Sequence, residues 1–295
     1  MSFSADVKTE ICRGSLNRKC CAVAEAYGVV LFCHTFSPQS VKIVTEHGEF
    51  AARLPRLFRK AFGVSFDETV RTDSGTYVLR IREPEKIARI YNVFGLDRES
   101  GVVLHLNRGI LERECCDVSF ARGAFLAGGS VTDPEKRYHL ELVTTHRKIA
   151  AETYSLLLDL GFSPRDMERA GAAILYFKQS DQIEDFLTAI GAPVRAMELM
   201  EAKVEKEMRN AINRRCNCDD ANATKVVDAA QTQLAAIRRL RETGRFEELP
   251  VQIQETALAR ERDPAASLAE LAAGLRVSKS AVNHRMRKLL ELAGK

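Results

Sequence analysis

Cys20-Cys21-Ala22-Val23-Ala24-Glu25-Ala26-Tyr27-Gly28-Val29-Val30-Leu31 and Cys115-Cys116-Asp117-Val118-Ser119-Phe120-Ala121-Arg122-Gly123-Ala124-Phe125-Leu126 stand 95 residues apart in a chain of 295. Laid on each other, they pair the two double cysteines, Gly28 with Gly123 and Leu31 with Leu126. The match resumes outward. Thr45-Glu46-His47 meets Thr144-Thr145-His146 at an offset of 99, Phe62-Gly63-Val64 meets Leu160-Gly161-Phe162 at 98, and Gly95 meets Gly191 at 96. An ordered series of landmarks at nearly constant spacing implies a duplicated domain.

Each copy reads alike. A helix rich in Ala, Cys and Val opens it, near 18–33 and 114–127, and short strands follow near 41–45 and 138–144. A second helix carries Leu54, Leu57, Phe58, Ala61 and Phe62 in one copy, and Ile149, Tyr154, Leu157, Leu158 and Leu160 in the other. These near three-and-four spacings bury one face. Strand pairs are expected at 64–72 with 75–82 and at 162–169 with 173–179, the first joined by the hairpin signal Asp73-Ser74-Gly75. Closing helices start at Glu83-Pro84 and Ser180-Asp181. The fold class is α+β, a pseudo-two-fold αββαββα duplication.

The second copy's opening segment, Ala121-Arg122-Gly123-Ala124-Phe125-Leu126-Ala127-Gly128-Gly129-Ser130-Val131, resembles the signature of LAGLIDADG homing endonucleases. The resemblance implies two such helices packed along a pseudo-two-fold axis, a concave DNA-gripping sheet, and a metal-holding acidic residue at the end of each signature. Those two positions fall on Gly128 and, through the 95-residue offset, on Cys33. Glycine offers no ligand, and a soft thiol suits Mg²⁺ poorly. Metal-assisted hydrolysis needs charge stabilisation and an activated water at that spot. No catalytic residue is therefore assigned. Asp133 reads as a turn residue before Pro134, and Asp117 as a helix-start carboxylate. His34, His47, His139 and His146 lack paired spacing and are assigned to no metal.

Net charge is +4, with 45% hydrophobic and 28% charged residues, which excludes a disordered chain. No apolar run approaches the roughly 18 residues of a membrane span, and the first residues lack a signal-peptide pattern. A cytoplasmic, nucleoid-associated protein without a membrane partner is expected. Of eight cysteines, Cys20-Cys21 and Cys115-Cys116 are adjacent pairs, and Cys216 and Cys218 form a lone C-x-C. None has paired C-x₂-C zinc spacing, so buried reduced thiols are the expected reading, with no metal or cofactor assigned and the role of the two pairs left open.

The basic excess gathers at the carboxyl end, where residues 276–295 hold six Lys/Arg against one Glu. A charged helix runs from about Pro193 to Arg215. The Asn-, Arg- and Asp-dense stretch 209–225 reads as a capped turn or a phosphate-contacting turn, and a helix from Asn222 or Thr224 follows, to about Arg241. Next come a helix from Pro250 to Arg262, the stop Asp263-Pro264, and the capping box Ser267-Leu268-Ala269-Glu270. After the turn Arg276-Val277-Ser278, a last helix runs from Lys279 to about Ala293. Three helices with a tight turn before a basic last one match a helix-turn-helix. Val282, Met286 and Leu289 face its core. Lys279, Ser280, Asn283, His284 and Arg287 lie opposite, of types that read base edges, with the cap Ser278 at the helix start. Arg285 and Lys288 flank them as phosphate contacts.

Four stretches together resemble the WhiA family of Gram-positive bacteria: Met1-Ser2-Phe3-Ser4 with the charged residues after it, Gly123 to Val131, the Asn-Cys-Asp-x-Ala-Asn-like run from Asn217 to Asn222, and Val277 to Leu289. The resemblance covers nearly the whole chain. It departs at Cys33-His34, which stands where a small polar pair is expected. It implies a degenerate LAGLIDADG domain followed by a helix-turn-helix. The implied function is a DNA-binding regulator tied to sporulation, cell division and chromosome segregation. The expected organisation is a first repeat at 1–100, a second at 101–195, a helical connector at 196–248 and a helix-turn-helix at 249–295. Double-stranded DNA is the expected partner, with other regulators or division proteins beside it; the operator, the sign of regulation and the oligomeric state are not given. Two alternatives stay open: a metal-dependent endonuclease, and a partner-binding scaffold in which only the helix-turn-helix touches DNA.

Overall fold

The computed structural model describes residues 2–96 and 104–294. Met1 and the repeat boundary expected at residues 100 and 101 lie outside the described residues. A leading helix α1 (Phe3–Arg13), capped by the Ser2 side chain, precedes the first copy. That copy runs α2 (Lys19–Phe32), β1 (Thr35–Ser37), β2 (Ser40–Thr45), α3 (Gly48–Phe62), β3 (Glu68–Arg71), β4 (Tyr77–Ile81) and α4 (Pro84–Phe94). The second runs α5 (Glu114–Gly128), β5 (Gly129–Val131), β6 (Leu140–Thr144), α6 (Arg147–Asp159), β7 (Arg165–Arg169), β8 (Ala172–Phe177) and α7 (Ser180–Ile190). The two sheets repeat one antiparallel order, β1-β2-β4-β3 and β5-β6-β8-β7. The duplicated αββαββα reading holds. Its least legible parts are β1 and β5, three residues each and too short for alternation to register.

Helices α2 and α5 are the centre of this arrangement, and both are buried on almost every side. That is why neither shows the polar face of a surface helix. They approach so closely that a Cβ on Gly28 would sit 2.2 Å from the Phe120 carbonyl oxygen, and one on Gly123 would sit 2.0 Å from that of Glu25. The matched glycines exist for this contact. Phe50, Leu54, Leu57 and Phe58 of α3, and Ile149, Leu156 and Leu157 of α6, close the same core from outside.

Helix α8 (Pro193–Glu242) departs from expectation. The stretch 209–225 holds no turn; it is helix throughout, continuous with the segments on either side. Between Pro193 and Gly244 the sequence has neither glycine nor proline, so nothing forces a break. Its capping-type residues instead bond within the helix: Thr224 Oγ1 donates to the Asp220 carbonyl at 2.9 Å. The chain divides into two compact units, Met1–Lys206 and Glu207–Lys295, and α8 contributes to both.

In the second unit, α9 (Val251–Arg262), α10 (Leu268–Gly274) and α11 (Lys279–Ala293) form the three-helix reading. Leu289 and Ala293 of α11 pack with Ile253 and Ala257 of α9, and also with Ile237 and Leu240 of α8. The trihelical unit thus borrows the end of the preceding helix to complete its core. Ala266, Leu271, Ala272, Val282 and Met286 form a second small cluster.

Candidate nucleic-acid interface

Geometry around the tight turn is set by local bonds. Ser267 Oγ accepts from the Glu270 amide at 3.3 Å, and the Glu270 carboxylate accepts from the Ser267 amide at 2.7 Å. These bonds complete the expected capping box and hold the Glu270 carboxyl below its ordinary range, first through the Ser267 amide. Arg276 takes the left-handed conformation, φ 55°, where the chain reverses. Ser278 then accepts from the Ala281 amide at 3.2 Å and starts α11. Behind the turn, buried Arg260 donates to Gln233 Oε1 at 2.9 Å and to the Ala266 carbonyl. We expect Ser267→Ala to cost the second unit about 1 kcal/mol, seen as a lower midpoint in far-ultraviolet dichroism without change in tyrosine emission. All six tyrosines precede residue 207, so emission reports the first unit alone.

Along α11, Val282, Met286 and Leu289 are buried at 0, 1 and 0% exposure. Ser278, Lys279, Ser280, Asn283, His284 and Arg287 are exposed. At about 100° per residue, Lys279, Asn283, Arg287, Ser280 and His284 fall in one contiguous arc. The structure therefore brings the proposed base-reading residues onto one face. Lys288 is also exposed, 3.8 Å from Glu291. Arg285 is placed differently from Lys288. It is half-buried, and its Nη1 donates to the Gln252 carbonyl and to Thr256 Oγ1, both at 3.4 Å, so it braces α11 on α9. Its wheel position beside Leu289, the core side of Lys288, is the signal that distinguishes the two.

In the first unit, the two positions on which the LAGLIDADG resemblance places the nuclease carboxylates offer no side-chain oxygen. Gly128 ends α5, and a Cβ there would meet the Val143 carbonyl at 2.4 Å. Cys33 caps α2; its thiol donates to the Val30 and Thr35 carbonyls at 3.1 and 3.2 Å, and burial pushes it up to about 12. Some cations of the first unit are paired with acids: Arg80 of β4 with Glu68 at 2.9 Å, Arg169 of β7 with Glu141 at 3.5 Å, and Arg147 at the start of α6 with Glu168 at 2.7 Å. Asp133 accepts from the Glu135 amide as a turn residue, and Asp117 lies in the first turn of α5. Burial holds the Asp117 carboxyl above its ordinary range.

One constellation escaped the spacing rules. Cys20, Cys21, Cys115 and Cys116 converge with all four sulfurs within 4.8 Å of one another. The pairs open α2 and α5, and packing those helices around a shared axis joins them. The signal lay in the 95-residue offset itself, which mapped one pair onto the other. Among the described residues, no helix is long and apolar enough to cross a membrane.

Comparison with known proteins matches residues 38–105 and 118–209 to the WhiA LAGLIDADG-like domain, and residues 212–293 to the WhiA C-terminal HTH domain. Among curated relatives, the probable cell division protein WhiA of Ruminiclostridium cellulolyticum is 38% identical over 305 residues, covering 99% of this chain and 97% of its own. That of Heliobacterium modesticaldum is 37% identical over 313 residues, covering 99% and 96%. Among solved structures, full-length DUF199/WhiA from Thermatoga maritima covers 100% of this chain and 98% of its own, with a TM-score of 0.61 at 24% identity. The isolated LAGLIDADG domain of DUF199/WhiA covers 64% of this chain and 92% of its own, with a TM-score of 0.52 at 23% identity. Two domain models in the expected order and relatives matched end to end lead to one statement: this chain belongs to the WhiA family.

Proposed function

We propose that this protein is a non-catalytic, sequence-specific DNA-binding regulator whose α11 reads the major groove. One observation carries the reading: Lys279, Ser280, Asn283, His284 and Arg287 form an exposed arc opposite the buried Val282, Met286 and Leu289. Asn suits adenine and Arg suits guanine, each good bidentate pair being worth about 1–3 kcal/mol of discrimination. Ser278 and the α11 amino terminus are placed for a phosphate, and Lys288 for another. Arg285 acts through the helix it braces. The process served is cell division, with sporulation transcription and chromosome segregation as extensions the family resemblance suggests, at the nucleoid. Other regulators or division proteins are proposed as further partners.

Cleavage is not proposed, because Gly128 carries no side chain and the Cys33 thiol is spent on two carbonyls.

Selection of bound duplexes from random DNA tests the reading. On the enriched site, Asn283→Ala and Arg287→Ala are each expected to lose about 1–3 kcal/mol of discrimination while keeping most random-DNA affinity. Lys288→Ala is expected to weaken binding to every sequence alike and to reduce the salt slope by about one. Equal losses on cognate and random DNA for all three would refute the groove assignment. Supercoiled plasmid should survive incubation with protein and Mg²⁺; nicking would restore the nuclease alternative.

A further inference from the structure

Four thiols from two helices meet at the end of the pseudo-two-fold axis opposite Cys33 and Gly128. Cys20 and Cys21 occupy the first turn of α2, and Cys115 and Cys116 the first turn of α5. Cys116 is buried and the other three are half-buried. The sulfurs all lie within 4.8 Å of one another. A tetrahedral zinc bound by four thiolates, with Zn–S near 2.3 Å, sets its sulfurs about 3.8 Å apart. Contraction by about an ångström, within reach of χ1 adjustments, converts one set into the other.

We propose that Cys20, Cys21, Cys115 and Cys116 form a four-thiolate site for a single borderline-soft divalent ion of the Zn²⁺ class, clamping the amino ends of α2 and α5. The chemistry of the donors selects such ions over Mg²⁺ or Ca²⁺, which require oxygen. The compact set suits one ion better than an iron–sulfur cluster, which would need the thiolates spread around several metal atoms.

Charge balance is accounted for locally. Loading releases the thiol protons, and four thiolates with one divalent ion carry a net charge of −2. The amino-terminal dipoles of both helices point at the cluster, and Arg18 Nη1 lies 3.9 Å from Cys115 Sγ. A cavity of about 500 Å³, bordered by Asn17, Arg18, Cys21, Glu25, Cys115 and Arg122, gives an ion a path from solvent. Glu25 is held by Arg53 at 2.6 Å, so it stays a second neighbour rather than a ligand.

The test is titration of the full-length, fully reduced protein with Co²⁺ and then Zn²⁺. The expected result is about one Co²⁺ per chain with the intense sulfur-to-metal charge-transfer and visible bands of tetrahedral tetrathiolate cobalt, displaced stoichiometrically by Zn²⁺. Cys115→Ala and Cys20→Ala should each weaken Zn²⁺ binding by more than about 100-fold, beyond the cost of losing an outer hydrogen bond. Cys216→Ala/Cys218→Ala should leave the spectrum intact. In the wild type, a chelator should lower the midpoint followed by tyrosine emission, and it should not do so in Cys115→Ala. Dichroism and emission of the metal-free variants confirm that they are folded; half-buried Cys20 and Cys115 serve because buried Cys116 is the riskier change. Three results would overturn the site: no charge-transfer band in the reduced wild type, an unchanged band in Cys20→Ala and Cys115→Ala, or disulfides joining α2 to α5 that persist under reducing conditions.

Discussion

Gly123→Ala is expected to destabilise the first unit by about 3 kcal/mol or more. The added carbon would lie 2.0 Å from the Glu25 carbonyl oxygen, 2.9 Å from its carbon and 3.0 Å from the Val29 nitrogen. All three are backbone atoms in the middle of α2. No rotamer change relieves them; α2 and α5 must separate, and the surrounding core loosens with them. Gly28→Ala meets the Phe120 oxygen and Ala124 nitrogen at 2.2 and 2.7 Å and should behave alike. Gly274→Ala has open space around its new carbon and should be neutral or stabilise the second unit by about 0.5–1 kcal/mol. Urea unfolding followed by tyrosine emission reads the two first-unit changes, because the chain has no tryptophan and its six tyrosines all lie in the first unit, and far-ultraviolet dichroism reads Gly274→Ala. A Gly123→Ala midpoint equal to wild type would show that the two helices do not pack at this distance.

Glu25→Ala should cost a comparable amount, about 3–5 kcal/mol, through a different cause. Glu25 and Arg53 are 1% and 3% exposed, and two hydrogen bonds of 2.6 and 3.0 Å join them. Arg53 also donates to the carbonyls of Cys12 and Gly14 at 3.1 and 2.6 Å, tying the end of α1 to α3. Arg122 approaches the same carboxylate at 3.6 Å. Removing the carboxylate leaves a buried guanidinium without its counter-charge. Glu25→Met combined with Arg53→Met should recover part of the loss by removing both charges, though the Cys12 and Gly14 carbonyls then lose their donor, at about 1 kcal/mol each. A Glu25→Ala midpoint within experimental scatter of wild type would mean that water reaches Arg53.

Much of this molecule was legible in order and type of residue. The duplicated glycines and cysteines gave the repeat, and the hairpin signal and polar helix starts gave the element order. In the second unit, Ser267, Glu270 and Ser278 placed two helix starts to the residue, because capping is a bond between neighbours three positions apart. Composition misled at 209–225, where Asn and Asp suggested a turn. Such residues lower helix propensity by only tenths of a kcal/mol each, and an uninterrupted helix tolerates them when no glycine or proline breaks it.

By itself, then, the sequence determined the duplication, the absence of a carboxylate at Cys33 and Gly128, and the polar arc of the last helix. Each of these depends on local spacing or on residue identity alone. Only the tertiary structure decided that Arg285 meets Gln252 and Thr256 of α9, that α8 completes the second core, and that four cysteines from helices far apart in sequence share one point. Those outcomes depend on which surfaces meet, and contact between residues about 95 apart is fixed by packing, not by periodicity.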